Sequence, residues 1–269
     1  MSPLVSVIIP CYNSGTYLPE ALASVETYQG SYAYEIIIIN DGSTDAYTLE
    51  YLRELETRGY SILHQENKGA AAARNTGVRT ARGKYLLLLD SDNRIRPAYL
   101  EKGIPVLESR PDVGVVYGNA HFFGDTTRKG FKAAVFDGSQ LFISNALDMC
   151  TLVRKTVWEQ VGGLDEQIPG CEDWEFWIRV TQTDWQFFHI SETLFDYRIR
   201  SGSLSDFTNL ETDDRIYAYI YAKHARTIRE QYQINLKKAR LYDKAIEQPF
   251  RYFFKFIFNK YFKKTKDKV

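Results

Sequence analysis

Two acidic clusters, Asp90-Ser91-Asp92 and Glu172-Asp173, carry the residue types best suited to chemistry. The first follows the apolar run Tyr85 to Leu89 directly, so its carboxylates emerge where a strand leaves its sheet. Ligands collect at such open strand ends in α/β sheets. Carboxylate oxygens are hard ligands of the kind Mg2+ or Mn2+ takes, one or two from protein and the rest from substrate phosphates. The expectation at Asp90, Ser91 and Asp92 is therefore a divalent metal holding a nucleoside diphosphate. The second cluster opens a helix-like stretch with Trp174 and Trp177. Capping explains one acid there. Two acids flanked by tryptophans fit better a sugar ring lying on an indole face, with a carboxylate acting as general base.

Two further segments bring polar groups to neighbouring strand ends. One run ends in Pro10-Cys11-Tyr12-Asn13 and the next in Asn40-Asp41-Gly42-Ser43-Thr44-Asp45. A planar base can lie on Tyr12 while Asp41 accepts from its imide or amino edge. The competing reading of Asp41 and Asp45 is turn and cap chemistry. In Asn67-Lys68-Gly69 through Arg74-Asn75-Thr76-Gly77, small residues open a helix and let a phosphate approach its N-terminus, with Lys68 or Arg74 supplying charge. The alternative is an Ala-rich packing helix with a surface Arg. Neither a P-loop nor a dinucleotide glycine fingerprint is present.

The elements that position these residues alternate. Strands are expected at Val5 to Ile9, Glu35 to Ile39, Ser61 to His64, Tyr85 to Leu89 and Gly114 to Tyr117, the more apolar of them covered on both faces. Helices are expected at Tyr17 to Tyr28, Ala46 to Arg58, Ala70 to Thr80 and Ala98 to Ser109, which makes the class α/β with a mostly parallel sheet flanked by helices. Residues 119–145 read as irregular strands and loops. Helical periodicity returns at Arg154 to Val161 and Asp173 to Thr181, two short strands at Gln186 to Ile190 and Leu194 to Arg198 close the fold, and the chain beyond Asp206 reads as helical. The organisation expected is a nucleotide-binding half over 1–117, an acceptor-binding half over 118–205 and a C-terminal helical extension over 206–269.

With 269 residues and 44% apolar content the chain can bury a sizeable core. Acidic and basic residues balance at 34 each, but the basic excess is gathered after Pro249, so the body lacks the broad basic face that nucleic acid requires. Three widely spaced cysteines, Cys11, Cys150 and Cys171, favour neither a disulfide framework nor structural zinc, and a reducing cytoplasm is the expected setting.

In order, VSVIIPCYN, IIIINDGSTD, NKGAAAARNTG, LLLLDSDN and GGLDE followed by EDWEFWIR resemble the family 2 glycosyltransferases of the GT-A fold over about the first 205 residues. The resemblance implies an inverting sugar transfer from a nucleotide-sugar donor, typically a UDP-sugar, to an acceptor hydroxyl. It implies nucleotide contacts from Pro10, Tyr12 and Asn13, base reading by Asp41, and Lys68 and Arg74 facing the nucleotide. In the family's DxD the second acid binds the metal and the first helps hold the nucleoside, which falls here on Asp92 and Asp90. Asp173 then matches the catalytic base and Glu172 the residue that positions the acceptor. Two positions depart from the family: Asn93 stands where many relatives have a further acid, and Arg200 where many have a His, which suggests direct charge pairing with phosphate.

From Pro249 the chain gathers Phe250, Phe253, Phe254, Ile257, Phe258 and Tyr261 on one helical face, opposite Arg251, Lys255, Asn259 and Lys263. Such a face suits an anionic membrane surface, and with it a lipid-linked acceptor at the inner face of a membrane in surface-polysaccharide assembly. It equally suits packing on the domain body or on a second subunit in a homo-oligomer. A nucleotidyltransferase and a non-catalytic carbohydrate-binding module are the rival readings; the first is expected to open with a basic Gly-rich loop, which Pro10-Cys11-Tyr12-Asn13 is not.

Overall fold

The computed structural model describes residues 2–126, 129–133, 135–138, 140–145, 147–168, 170–200 and 210–247. Strands and helices alternate through β1 (Val5–Cys11), α1 (Leu18–Glu26), β2 (Tyr34–Asp41), α2 (Ala46–Thr57), β3 (Ser61–Gln65), α3 (Gly69–Thr80), β4 (Tyr85–Leu88), β5 (Arg94–Ile95) and α4 (Ala98–Ser109). Then come β6 (Val113–Gly124), β7 (Gly130–Phe131), a 3-10 turn at Gln140–Phe142, β8 (Leu152–Arg154), α5 (Lys155–Val161), α6 (Glu172–Val180), β9 (Gln186–Ile199), α7 (Leu210–Lys223) and α8 (Ala225–Glu247).

One sheet runs in the order β3-β2-β1-β4-β8-β6-β9-β5, with β7 on β6. The half β3-β2-β1-β4 is parallel, β8 joins β4 and β6 antiparallel, and β6 pairs β9 in parallel again. The apolar runs of β1, β2 and β4 are buried because helices cover them, as their composition predicts. Gly77 sets how closely α3 lies on the sheet. A Cβ there would come within 2.6 Å of Ile39 and 2.7 Å of Ile8. Without that side chain, α3 settles onto β1 and β2 and carries Arg74 into the interior, 5% exposed.

The second half differs from the expectation in two ways. β6 extends to Gly124, well past Tyr117, and the two short strands expected after Gln186 are one strand of 14 residues, β9. The apparent break at Ser191-Glu192 is absorbed by register shifts between Gly118 and Ala120, where Ile190 pairs with Gly118 and Thr193 with Asn119. Pairing resumes beyond them, so β9 carries its last residues to the end of β5.

The chain divides into two compact units, Met1–Tyr219 and Ile220–Val269. In the second, α8 follows the end of α7 and exposes Tyr232 and Ile234. The boundary expected at 205 and the aromatic, basic stretch from Pro249 lie outside the described residues. No helix among the described residues is long and apolar enough to cross a membrane.

Candidate active site

The two acidic clusters meet at one guanidinium. Arg74 Nη1 donates to Glu172 Oε1 at 2.5 Å and Nη2 donates to Asp90 Oδ1. Burial opposes the charge of Arg74, but Asp90 and Glu172 outweigh it and raise its pKa. An arginine ion-paired to two carboxylates out of water is held by both charge and hydrogen bonds. Arg74 therefore does not lie on the surface, which corrects the reading of a surface Arg on a packing helix; its charge serves Asp90 and Glu172. Its Nε has no partner among the described residues.

On the other side, the turn after β4 is tied to the end of β9. Asn93, 1% exposed, accepts from the Arg198 backbone N at 2.9 Å, and Arg198 Nε donates to the Asp92 carbonyl at 2.9 Å. Asn93 thus joins two strand ends, a role an ionised acid at that position would fill only by burying a charge. Arg200 Nε donates to Asp92 Oδ2 at 2.8 Å. Behind these bonds runs a ladder of alternating rings and guanidinium groups: Arg94 at 3.8 Å and Arg198 at 4.2 Å from the Phe123 centroid, then Arg198 at 4.8 Å and Arg200 at 4.9 Å from that of Tyr17. Each contact is a cation–π pair that fixes the plane of the cation. Burial and the Asp90 charge raise the pKa of Asp92. No group of three or more metal-ligating side chains occurs among the described residues. The donor set nonetheless fits a cation completed by substrate: Asp92 pairs with Arg200 through one oxygen only, and the carboxylates of Asp90, Asp92 and Glu172 outnumber the guanidinium groups of Arg74 and Arg200 that pair with them.

The base-like acid stands at the start of α6. Asp173 Oδ1 accepts from Trp174 N at 2.8 Å and Oδ2 from Asn145 Nδ2 at 3.0 Å. Burial, and next the neighbouring Glu172 charge, push its pKa up to about 6. Trp174 and Trp177 are not open platforms. Trp174 is 2% exposed, its indole N–H donates to the Leu141 carbonyl at 2.5 Å and its ring meets Tyr217 edge-on at 4.9 Å. Trp177 is fully buried and donates to the Leu147 carbonyl at 3.0 Å. The expected stacking of a sugar on either ring is excluded, because their faces are packed against protein; instead the two indoles pin the stretch between the 3-10 turn and β8.

That stretch also carries Asp148, which sequence reading missed. Its Oδ1 accepts from Cys150 N at 2.7 Å, and burial, then Asp90, push its pKa up to about 7. The available signal was an acid set among Leu147, Met149 and Cys150.

The residues expected on the nucleotide side gather at the ends of β1 and β2. Tyr12 is 49% exposed and offers a ring face, and Pro10 lies half-buried beside it. Asn13, with φ of 49°, stitches the two loops, its Oδ1 accepting from Thr44 N at 2.7 Å and Asp45 N at 3.1 Å. Asp41 accepts from Gln65 Nε2 and Lys68 N through Oδ1 and from Gly69 N through Oδ2. It caps the start of α3 and keeps room for one more donor on Oδ2. Asp45 caps α2 through Thr48 N at 2.8 Å. The Lys68 side chain is exposed, and Ser91 shares a 2.7 Å hydrogen bond with Ser14.

The model described as "Glycosyl transferase family 2" matches residues 6–154. An uncharacterised glycosyltransferase of Haemophilus influenzae is 26% identical over 242 residues, 84% of this chain and 79% of its own. Glycosyltransferase GlyG of Streptococcus pneumoniae is 34% identical over 154 residues, 56% of this chain and 46% of its own. Among solved structures, residues 1–349 of S. aureus TarS, in complex with UDP-GlcNAc, superpose with a TM-score of 0.67 at 19% identity, covering 84% of this chain and 66% of that one. At that identity the likeness is one of fold, the mixed α/β GT-A arrangement.

Proposed function

The chain belongs to glycosyl transferase family 2 and is a glycosyltransferase, and from that premise we propose that it moves a sugar from a UDP-sugar to an acceptor hydroxyl with inversion. The observation that supports this reading is the Arg74 bridge, which joins Asp90 and Glu172, the two acids assigned here to donor and acceptor. The complexes of TarS with UDP-GlcNAc and with UDP support a UDP donor.

In this reading the base stacks on Tyr12 and donates its imide N–H to Asp41, while Pro10, Asn13, Lys68, Ser91 and Asp90 frame the nucleoside and diphosphate. Asp92 and donor phosphates would together hold a divalent Mn2+ or Mg2+, which supplies Lewis-acid stabilisation of the leaving diphosphate when bound. Arg200 leaves Asp92 to pair with phosphate, adding a fixed cation where charge develops. Asp173, ionised, takes the proton from the acceptor hydroxyl as its oxygen attacks the anomeric carbon in line with the departing UDP; Glu172, held by Arg74, orients that acceptor. The acceptor is a saccharide or lipid-linked saccharide of surface-polysaccharide assembly.

Incubating the protein with a panel of UDP-sugars and saccharide acceptors, with Mn2+, tests the reading. Product of inverted anomeric configuration is expected, with Asp173→Asn lowering transfer by at least about a hundredfold and leaving UDP affinity unchanged. Near-normal turnover of Asp173→Asn sinks the base assignment.

A further inference from the structure

Asp173 is held on both oxygens. Trp174 N, from its own helix, holds Oδ1, and Asn145 Nδ2 reaches Oδ2 from the stretch before β8. Asn145 is itself exposed, yet its backbone is fixed on both sides by the helix it serves: the Leu141 carbonyl accepts from Trp174 Nε1, and the Leu147 carbonyl from Trp177 Nε1. Two fully packed indoles thereby lock the amide against α6. A free surface asparagine would lose side-chain entropy to make such a bond; one whose backbone is already anchored loses less.

We infer that Asn145 is a positioning residue for sugar transfer, orienting the Asp173 carboxylate toward the acceptor hydroxyl and stabilising its ionised form by donating to Oδ2. The inference rests on the reading of Asp173 as the general base. The other charged groups that bear on Asp173 are Glu172 on the same helix, Arg74 from α3 and Asp148 from the stretch that carries Asn145. Glu172 and Asp148 oppose ionisation of Asp173, and Arg74 favours it only while also serving Asp90 and Glu172. Asn145 is the neutral donor that favours ionisation from outside the helix.

The test is the pH dependence of kcat in Asn145→Ala and Asn145→Asp, with Asp173→Asn as reference. Asn145→Ala is expected to shift the acid limb of the profile upward by about one pH unit and to lower kcat at pH 7 about tenfold, with the donor KM unchanged. Asn145→Asp, nearly isosteric but carrying a like charge, is expected to shift it further. An unmoved acid limb in both variants overturns the inference, whether or not the rate falls, because a merely structural loop would change rate without changing the base. If Asp173→Asn stays active, the base reading falls and takes this inference with it. If Asp173→Asn is inactive while the limb stays unmoved, only the role of Asn145 falls. Unchanged melting temperatures, expected for an exposed side chain, show that both variants fold.

Discussion

Arg74 and Glu172, 98 positions apart, form a hydrogen-bonded ion pair at 2.5 Å, with side chains 6% and 20% exposed. The same guanidinium also serves Asp90, at the turn that follows β4. One buried cation thus keeps two groups of acids from repelling each other.

Arg74→Met should for that reason be among the most damaging single changes in the chain. It leaves Asp90 and Glu172 partly buried without their cation, a loss of about 3 kcal/mol by analogy with broken buried ion pairs. Arg74→Lys should recover only part of it, because a single ammonium does not reproduce the fork that reaches both acids. Urea denaturation of the three proteins measures the difference.

Transfer should depend on pH through Asp173. Its pKa is pushed up to about 6, so the base form dominates above that value and is lost as pH falls through it. The rate at saturating donor should rise through about pH 6 and level off above pH 7. A profile flat from pH 5 to 8 contradicts this assignment.

Asp148 makes a different pH prediction, on stability. Its pKa lies near 7 in the folded chain against an ordinary 3.8, so between those values the folded state binds the extra proton and stability falls as pH rises. The shift is equivalent to about 4 kcal/mol, reduced by the solvent access of a half-buried group to about 2 kcal/mol. Asp148→Asn removes that penalty. It should raise the melting temperature at pH 8 by about 4–8 °C and leave it unchanged below about pH 3, where the acid is neutral in both states. Differential scanning calorimetry at the two pH values decides.

Tyr17→Leu should loosen donor binding without touching the chemical step. The last rung of the ladder is Arg200 over Tyr17, and losing a partly exposed cation–π contact corresponds to about a two- to fivefold rise in donor KM. A fall in kcat with KM unchanged would place Tyr17 in another role.

The parallel half of the sheet and its helices were legible because apolar runs of strand length alternate with capped helical segments. The acids at 90 and 92 were legible because they stand where such a run ends, and those at 172 and 173 because they open a helical stretch. What was hidden depends on distant partners. Nothing near Arg74 in the chain announces Asp90 or Glu172, and no local pattern tells a buried tryptophan whose N–H finds a carbonyl from one that offers its face to a sugar. The break read at Ser191-Glu192 vanished because β9 itself bulges there, its surplus residues left unpaired while its pairing with β6 resumes beyond them. Asp148 and Asn145 sat in a segment without periodicity, whose shape is fixed by Trp174 and Trp177 rather than by its own residues.

β9 links helix α6, where Asp173 stands, to Arg200, which grips Asp92. Side chains alternate faces along a strand, so Arg198 and Arg200 reach the same side only because they stand two positions apart. Losing or gaining one residue between Thr193 and Arg198 would turn both arginines to the opposite face and put Ile199 in their place. Length variation in evolution should therefore be purged from this span even where the residue types drift, and a designer seeking room for an inserted tag or domain should avoid it altogether.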